Sequence, residues 1–153
     1  MPFDLYQLDR IPGWDEGADV LEEYIDGLSE ALLAAPEGRA LAGDSGYWVG
    51  QAVRCAYVDL RVTLPSLSAD DVRTLLTDVF PRKLGRHAPE PERAGPELTA
   101  LWTYLRRAHG LKQAAGILQA LGELAPDFPE RMAQGEARSL QEQAAELTPT
   151  EEQ

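Results

Sequence analysis

Apolar residues recur at intervals of three and four along most of this 153-residue chain, and this spacing constrains the fold more than any other feature. Over residues 15–35, at about 100° per residue, the pattern places an apolar face opposite an acidic one. Runs of β-branched residues are almost absent, and Pro65 stops the nearest approach to a strand at residues 60–64. The pattern predicts an all-α fold, a compact bundle of five or six helices forming a single domain over residues 1–147.

Capping residues predict where several helices begin and end. Ser68 is a suitable N-cap, and Asp71 follows three residues later in the position of a capping-box partner. Pro81 is expected to stop this helix because proline has no N–H to donate inside a helix. Gly110 is expected to end a helix that begins at Pro96. The other helices are predicted over residues 15–35, 45–60, 111–124 and 129–147, with a short turn of helix after residue 36.

Three segments are predicted to lie outside the helices. Residues 1–14 are expected to form an extended arm that packs on the bundle, and residues 148–153 a disordered tail. Residues 81–95 read as a long loop rich in proline, glycine and charge, a type of loop that is often functional.

The tryptophans are expected to differ in exposure. Trp14 and Trp48 flank predicted helix starts, where we expect partial exposure, whereas Trp102 lies on an apolar stripe and should be buried. Exposed aromatic residues beside an apolar arm would suit a docking surface or a homodimer contact.

The net charge of −12 makes nucleic acid and anionic lipid unfavourable partners, because a negative field repels polyanions. No apolar stretch approaches the roughly 20 residues that cross a bilayer, and residues 1–4 lack the features of a signal peptide. Cys55 is the single cysteine, which excludes an intrachain disulfide and suits a reducing compartment. We therefore expect a cytoplasmic protein without a membrane partner.

The charge is distributed unevenly, and a basic centre lies between acidic flanks. Residues 81–112 carry three acidic and seven basic residues, whereas the segments on either side are strongly acidic. These bases can converge on a phosphate, a nucleotide or an acidic partner, since a guanidinium binds two oxygens at once. Alternatively, they neutralise the acids of the first helix, or act as favourable charges at a helix C-terminus. The candidate binding residues are Arg82, Lys83, Arg86, Arg106 and Arg107, with His87 and Arg93 nearby.

The acidic face of the first helix gives a second candidate site. Asp19, Glu22, Glu23 and Asp26 lie three and four positions apart, a spacing with which carboxylates can share Mg²⁺ or Mn²⁺. A nucleotide-hydrolysing enzyme of this type also needs a second acidic helix, for which the available residues are Asp59, or Asp70, Asp71 and Asp78. The simpler interpretation is a solvated helix face.

Histidine and cysteine offer little further chemistry. His87, His109 and Cys55 do not have the spacing of zinc ligands, and Cys55 is expected to be a buried packing residue. No glycine-rich phosphate loop is present in the sequence. We therefore expect neither a cofactor nor a catalytic residue.

Residues 68–83, which end in Phe-Pro-Arg-Lys, resemble a signature of a family of uncharacterised, mostly helical bacterial proteins. A stretch similar to residues 96–105, then Gly110-Leu111 and an alanine-rich helix, extends the resemblance over roughly residues 20–121. The resemblance implies a helical fold and a bacterial origin, and it implies no activity.

The sequence thus favours a non-catalytic protein-interaction or adaptor domain, with an acidic surface and a basic central segment, that docks to another protein. The alternative is a metal-dependent helical enzyme that binds or hydrolyses nucleotides with the acids between Asp19 and Asp26. An acidic mimic of nucleic acid is a weaker third hypothesis.

Overall fold

The computed structural model describes residues 3–39, 41, 46–84, 88 and 90–134. Throughout these residues the regular elements are helical and none is a strand, so the predicted all-α bundle is confirmed. A further helical run covers residues 128–134. The named helices are α1 (Trp14–Ala34), α2 (Pro36–Arg39), α3 (Tyr47–Cys55), α4 (Ala69–Thr74), α5 (Phe80–Lys83), α6 (Ala94–His109) and α7 (Ala114–Leu124).

Two helices contain π-helical turns. A π-helix at Ala56–Leu60 prolongs α3, and another at Leu75–Val79 joins α4 to α5. In the second, the Phe80 N–H donates to the carbonyl of Leu75, five residues back. The prediction that Pro81 stops this helix is wrong. The π-helix ends at Val79, and Pro81 lies in the first turn of α5, where the missing N–H of proline is tolerated.

The segment between α5 and α6 is shorter at both ends than the loop predicted over residues 81–95. Lys83 is still helical, a 3₁₀ turn forms at Pro91–Arg93, and α6 begins at Ala94 rather than at Pro96. Residues 85–87 and 89 lie outside the described residues, as do the predicted helix beyond residue 134 and the tail at 148–153.

The predicted caps are confirmed. The Asp71 N–H donates to Ser68 Oγ at 3.1 Å, and the Ser68 N–H donates to Asp71 Oδ2 at 3.0 Å, which completes the capping box of α4. Gly110 ends α6 with a φ of 66°, a left-handed conformation that glycine adopts without steric cost.

Trp48 lies in the middle of the core. Its ring packs edge-on against Phe80 at 5.5 Å and Phe128 at 5.2 Å, and its Nε1 donates to the carbonyl of Glu90 at 3.3 Å. The expected partial exposure of Trp48 is therefore wrong, because these aromatic neighbours close over it. Trp14 is 40% exposed and Trp102 is buried, as predicted.

The N-terminal arm lies against α1. Leu5 and Leu8 are buried, and Tyr24 Oη donates to the carbonyl of Leu5 at 2.7 Å. Phe3 packs edge-on against Tyr24 with ring centroids 4.9 Å apart. The arm thereby brings an aromatic side chain from the chain terminus beside the middle of α1.

Within the described ranges, none of the helices combines the length and the apolar character that a membrane span requires.

Candidate functional site

The solvent-facing side of α1 carries a line of four exposed carboxylates, here called the acidic ridge: Asp19, Glu23, Asp26 and Glu30. Helical geometry places these positions within a sector of about 60° and along about 16 Å of the helix axis. Across the part of the chain that the structure describes, no basic side chain forms an ion pair with any of the four.

The other acids of α1 have structural roles that the ridge lacks. Asp15 and Glu16 lie in the first turn, where the positive end of the helix dipole favours them. Glu22 accepts two hydrogen bonds from Arg54, at 2.9 Å from Nε and 2.7 Å from Nη2, and these bonds lower the pKa of Glu22. The ridge carboxylates are thus acids of α1 that lie beyond its first turn and make no ion pair with a described residue.

Spacing within the ridge is itself unfavourable. Asp19 and Glu23 are four residues apart, as are Asp26 and Glu30, and Glu23 and Asp26 are three apart. Like charges at these separations destabilise a helix by roughly 0.2–0.5 kcal/mol per pair. A helix selected only for stability would not place four such charges in one line.

We expect Asp26→Lys to raise the free energy of unfolding by about 0.5–1 kcal/mol, since it converts repulsions with Glu22, Glu23 and Glu30 into attractions. Urea unfolding measures the change, which should shrink in about 0.5 M salt because salt screens exposed charges.

Ala115→Lys is the control for Asp26→Lys, because Ala115 is exposed on α7 with no acid three or four residues away, and its neighbour at three residues, Lys112, adds a small repulsion. It should not reproduce the salt-sensitive gain. Unchanged or lower stability in Asp26→Lys would contradict the unfavourable spacing of the ridge.

Several bases of the predicted basic centre are paired with acids outside α1. Lys83 Nζ lies 3.0 Å from Asp59 Oδ2, and Arg82 Nη2 lies 3.4 Å from Asp78 Oδ2. The structure therefore does not bring these two candidates to a ligand site.

Arg107, in the last turn of α6, is also paired with an acid. It donates two hydrogen bonds to Glu37 on α2, at 2.7 and 2.9 Å, and this pairing lowers the pKa of Glu37. Arg106 is exposed at the same helix end, and Arg86 lies outside the described residues. In the described part of the chain, Arg54 and not the basic centre neutralises an acid of α1.

The metal-site hypothesis gains no support from this arrangement. The acids from Asp19 to Asp26 face solvent, Asp59 is paired with Lys83, and Asp71 belongs to a capping box. No group of three or more His, Cys, Asp or Glu side chains within the described residues is placed to hold a metal ion.

An open cleft of about 510 Å³ lies beside the ridge, between the N-terminal arm, α1 and α6. Glu30 belongs both to the ridge and to the lining of the cleft, and small residues on both helices leave room between the aromatic rings. The cleft is lined by Phe3, Gly27, Glu30, Ala31, Tyr104, Ala108 and His109.

The aromatic part of the cleft is built around His109. Its ring lies edge-on to Tyr104 at 5.6 Å and to Phe3 at 6.4 Å. Burial lowers the pKa of His109, which favours the neutral imidazole at neutral pH. The cleft thus presents three aromatic rings and one carboxylate, without a formal positive charge from His109.

Glu97 is a buried carboxylate outside the ridge, and it caps the start of α3. Its Oε1 accepts hydrogen bonds from the backbone N–H of Gly46 at 2.9 Å and of Trp48 at 3.1 Å. Glu97 thereby acts as a cap supplied by another helix.

Cys55 is buried, as predicted, and burial raises its pKa to about 11, so its thiol stays protonated at neutral pH.

Sequence reasoning missed both the cleft and Glu97. Phe3 and Tyr104 are brought to the same cleft only by the tertiary fold, and Glu97 resembles an ordinary acid in the first turn of α6. The one available signal for the cleft was Gly27, a helix-weakening residue in the middle of a long amphipathic helix.

Comparison of the chain with protein-family models, with curated proteins and with solved structures found no match in any of the three.

Proposed function

We propose that this protein is a non-catalytic interaction domain whose acidic ridge docks onto a basic surface of another protein. The observation that supports the proposal is the set of four exposed carboxylates on α1 that have no ion-pair partner in the described residues, while Arg82, Lys83 and Arg107 are engaged by other acids. Charge complementarity of this kind increases the association rate and selects the partner.

The ridge lies on a helix whose opposite face is packed into the core. Leu21, Leu28 and Leu32 on the opposite face of α1 are buried in the core, so the helix is fixed in place before any partner arrives. A preformed surface loses little conformational entropy on binding. The ridge of about 16 Å also exceeds the Debye length of about 8 Å at physiological salt, so a partner must match its charges locally rather than respond to the net charge.

Removal of three of the four ridge charges is expected to weaken the association with a basic partner. In the triple variant Asp19→Asn, Glu23→Gln and Asp26→Asn, we expect the amount of basic protein retained from an extract of the native cell to fall about fivefold or more. Quantitative mass spectrometry of the captured proteins measures this, at about 0.05 M and again at about 0.5 M salt. The wild-type association should weaken at the higher salt.

A matched triple variant controls for net charge. Glu92→Gln, Asp127→Asn and Glu130→Gln remove three exposed carboxylates outside the ridge. This variant should retain the same basic partner as the wild type. Equal losses in both variants, or a captured partner that is insensitive to the ridge, would contradict the proposed function.

A further inference from the structure

We infer that the cleft beside the ridge receives an arginine side chain of the basic partner, an inference that rests on the proposed function. Glu30 connects the two surfaces, because it lies at the end of the ridge and lines the cleft. A partner segment that follows the ridge therefore reaches a recess lined by a carboxylate and by aromatic rings.

The lining of the cleft suits arginine better than lysine. A guanidinium is planar, stacks on aromatic faces and binds a carboxylate through two parallel hydrogen bonds. The cleft offers the ring of Phe3 and the carboxylate of Glu30, and it is also lined by Tyr104, whose ring centroid lies 5.9 Å from Arg107 Cζ. An ammonium group is more strongly hydrated and cannot stack in this way.

The cleft is large enough for a side chain to enter, and one of the residues that line it, Gly27, has no side chain. Its volume of about 510 Å³ lies in the range of roughly 300–1,000 Å³ that is usual for binding clefts. A Cβ at this position would lie 3.3 Å from Phe3 Cδ1. Glycine inside a helix costs about 1 kcal/mol relative to alanine, so α1 gives up stability to keep this space open.

The ridge carboxylates also favour a cation in the cleft. His109 is favoured in its neutral form, because burial lowers its pKa. Arg107 lies with its Cζ 5.9 Å from the Tyr104 ring centroid, but its guanidinium is hydrogen-bonded to Glu37. Ridge carboxylates extend away from Glu30 along α1 and add a negative field that attracts the incoming charge.

The test uses the full chain and three labelled peptides of one sequence, about twelve residues long, in which several positions are all arginine, all lysine or all citrulline. Fluorescence anisotropy up to about 1 mM peptide measures binding. We expect the arginine peptide to bind about fivefold or more tightly than the lysine peptide, because only arginine can stack and bind Glu30 with two hydrogen bonds. The neutral citrulline peptide should not bind detectably.

Two pairs of variants locate the binding. Gly27→Leu should weaken arginine-peptide binding about tenfold by filling the cleft, whereas Gly122→Leu, on α7 with open space around its Cβ, should leave it unchanged. Glu30→Gln should weaken binding about tenfold, and Glu23→Gln, on the ridge but outside the cleft, only about twofold. Far-UV circular dichroism and urea unfolding show that each variant is folded.

The outcomes separate the two proposals. Equal binding of arginine and lysine peptides, with equal effects of Glu30→Gln and Glu23→Gln and none of Gly27→Leu, would overturn the arginine cleft and leave the acidic docking surface standing. No binding of either charged peptide up to about 1 mM would overturn both.

Discussion

Glu97→Ala is expected to lower the free energy of unfolding by about 3–4 kcal/mol, although Glu97 belongs neither to the ridge nor to the cleft. The substitution removes the acceptor for the N–H groups of Gly46 and Trp48, and Trp48 is buried. Each buried donor left without a partner costs roughly 1–3 kcal/mol, and the emptied space adds a packing loss. Urea unfolding followed by tryptophan fluorescence measures the change.

Glu97→Gln separates the hydrogen bonds from the charge. The amide oxygen can accept from both N–H groups, so we expect a loss of no more than about 1 kcal/mol at neutral pH. A loss as large as that of Glu97→Ala would contradict the capping role, because it would show that the charge, and not the acceptor, is what matters.

A comparison of the wild type with Glu97→Gln also gives a pH dependence of stability with a defined sign. Burial raises the pKa of Glu97 above its ordinary value, against the opposing effect of the hydrogen bonds from Gly46 and Trp48. The folded state therefore holds this proton to a higher pH than the unfolded state. By linkage, wild-type stability falls relative to Glu97→Gln as the pH rises from about 4.3 through the raised pKa, and the difference is constant above it. A relative gain in wild-type stability over this window would contradict the assignment.

Gly38→Ala is expected to cost about 3 kcal/mol. A Cβ on Gly38 would lie 2.8 Å from Leu33 Cα and closer still to the carbonyl oxygen of Leu32, both of which are backbone atoms at the end of α1. Backbone cannot rotate away as a side chain can, so α2 must move off α1, and overpacking of this kind is strongly destabilising. The shift would also strain the pairing of Glu37 with Arg107, which ties α2 to α6.

Gly122→Ala is the matched control, because its Cβ would meet nothing within 4 Å. Alanine is the better helix former, so this variant should gain up to about 1 kcal/mol. Thermal and urea unfolding of both variants measure the contrast. A Gly38→Ala protein as stable as the wild type would show that α2 does not pack against α1 as closely as described.

The parts of the fold that local rules govern were predictable from the sequence. The apolar period of α1, the capping box at Ser68 and the glycine cap at Gly110 each depend on residues within a few positions of one another. The prediction for Pro81 was wrong because the π-helical turn before it, which joins α4 to α5, is not encoded in a pattern that local propensity recognises.

The candidate site was only partly predictable, because part of it depends on contacts between segments that are distant in the sequence. The exposure of the α1 acids follows from helical periodicity, and so does the assignment of Asp19, Glu23 and Asp26 to one face. Which acids find a base depends on contacts between distant segments, such as Glu22 with Arg54 and Glu37 with Arg107. The cleft depends on the arm folding back on α1, which periodicity does not specify.

The most direct test of the central claim, that the acidic ridge docks a basic partner, is carbodiimide cross-linking of the full chain in an extract of the native cell. The reagent joins a carboxylate to a lysine amine that contacts it, and mass spectrometry identifies both residues. We expect cross-links to a partner's lysines to concentrate at Asp19, Glu23 and Asp26 and to disappear at about 0.5 M salt. Cross-links concentrated instead at Glu92, Asp127 and Glu130, or spread evenly over exposed carboxylates, would contradict the claim.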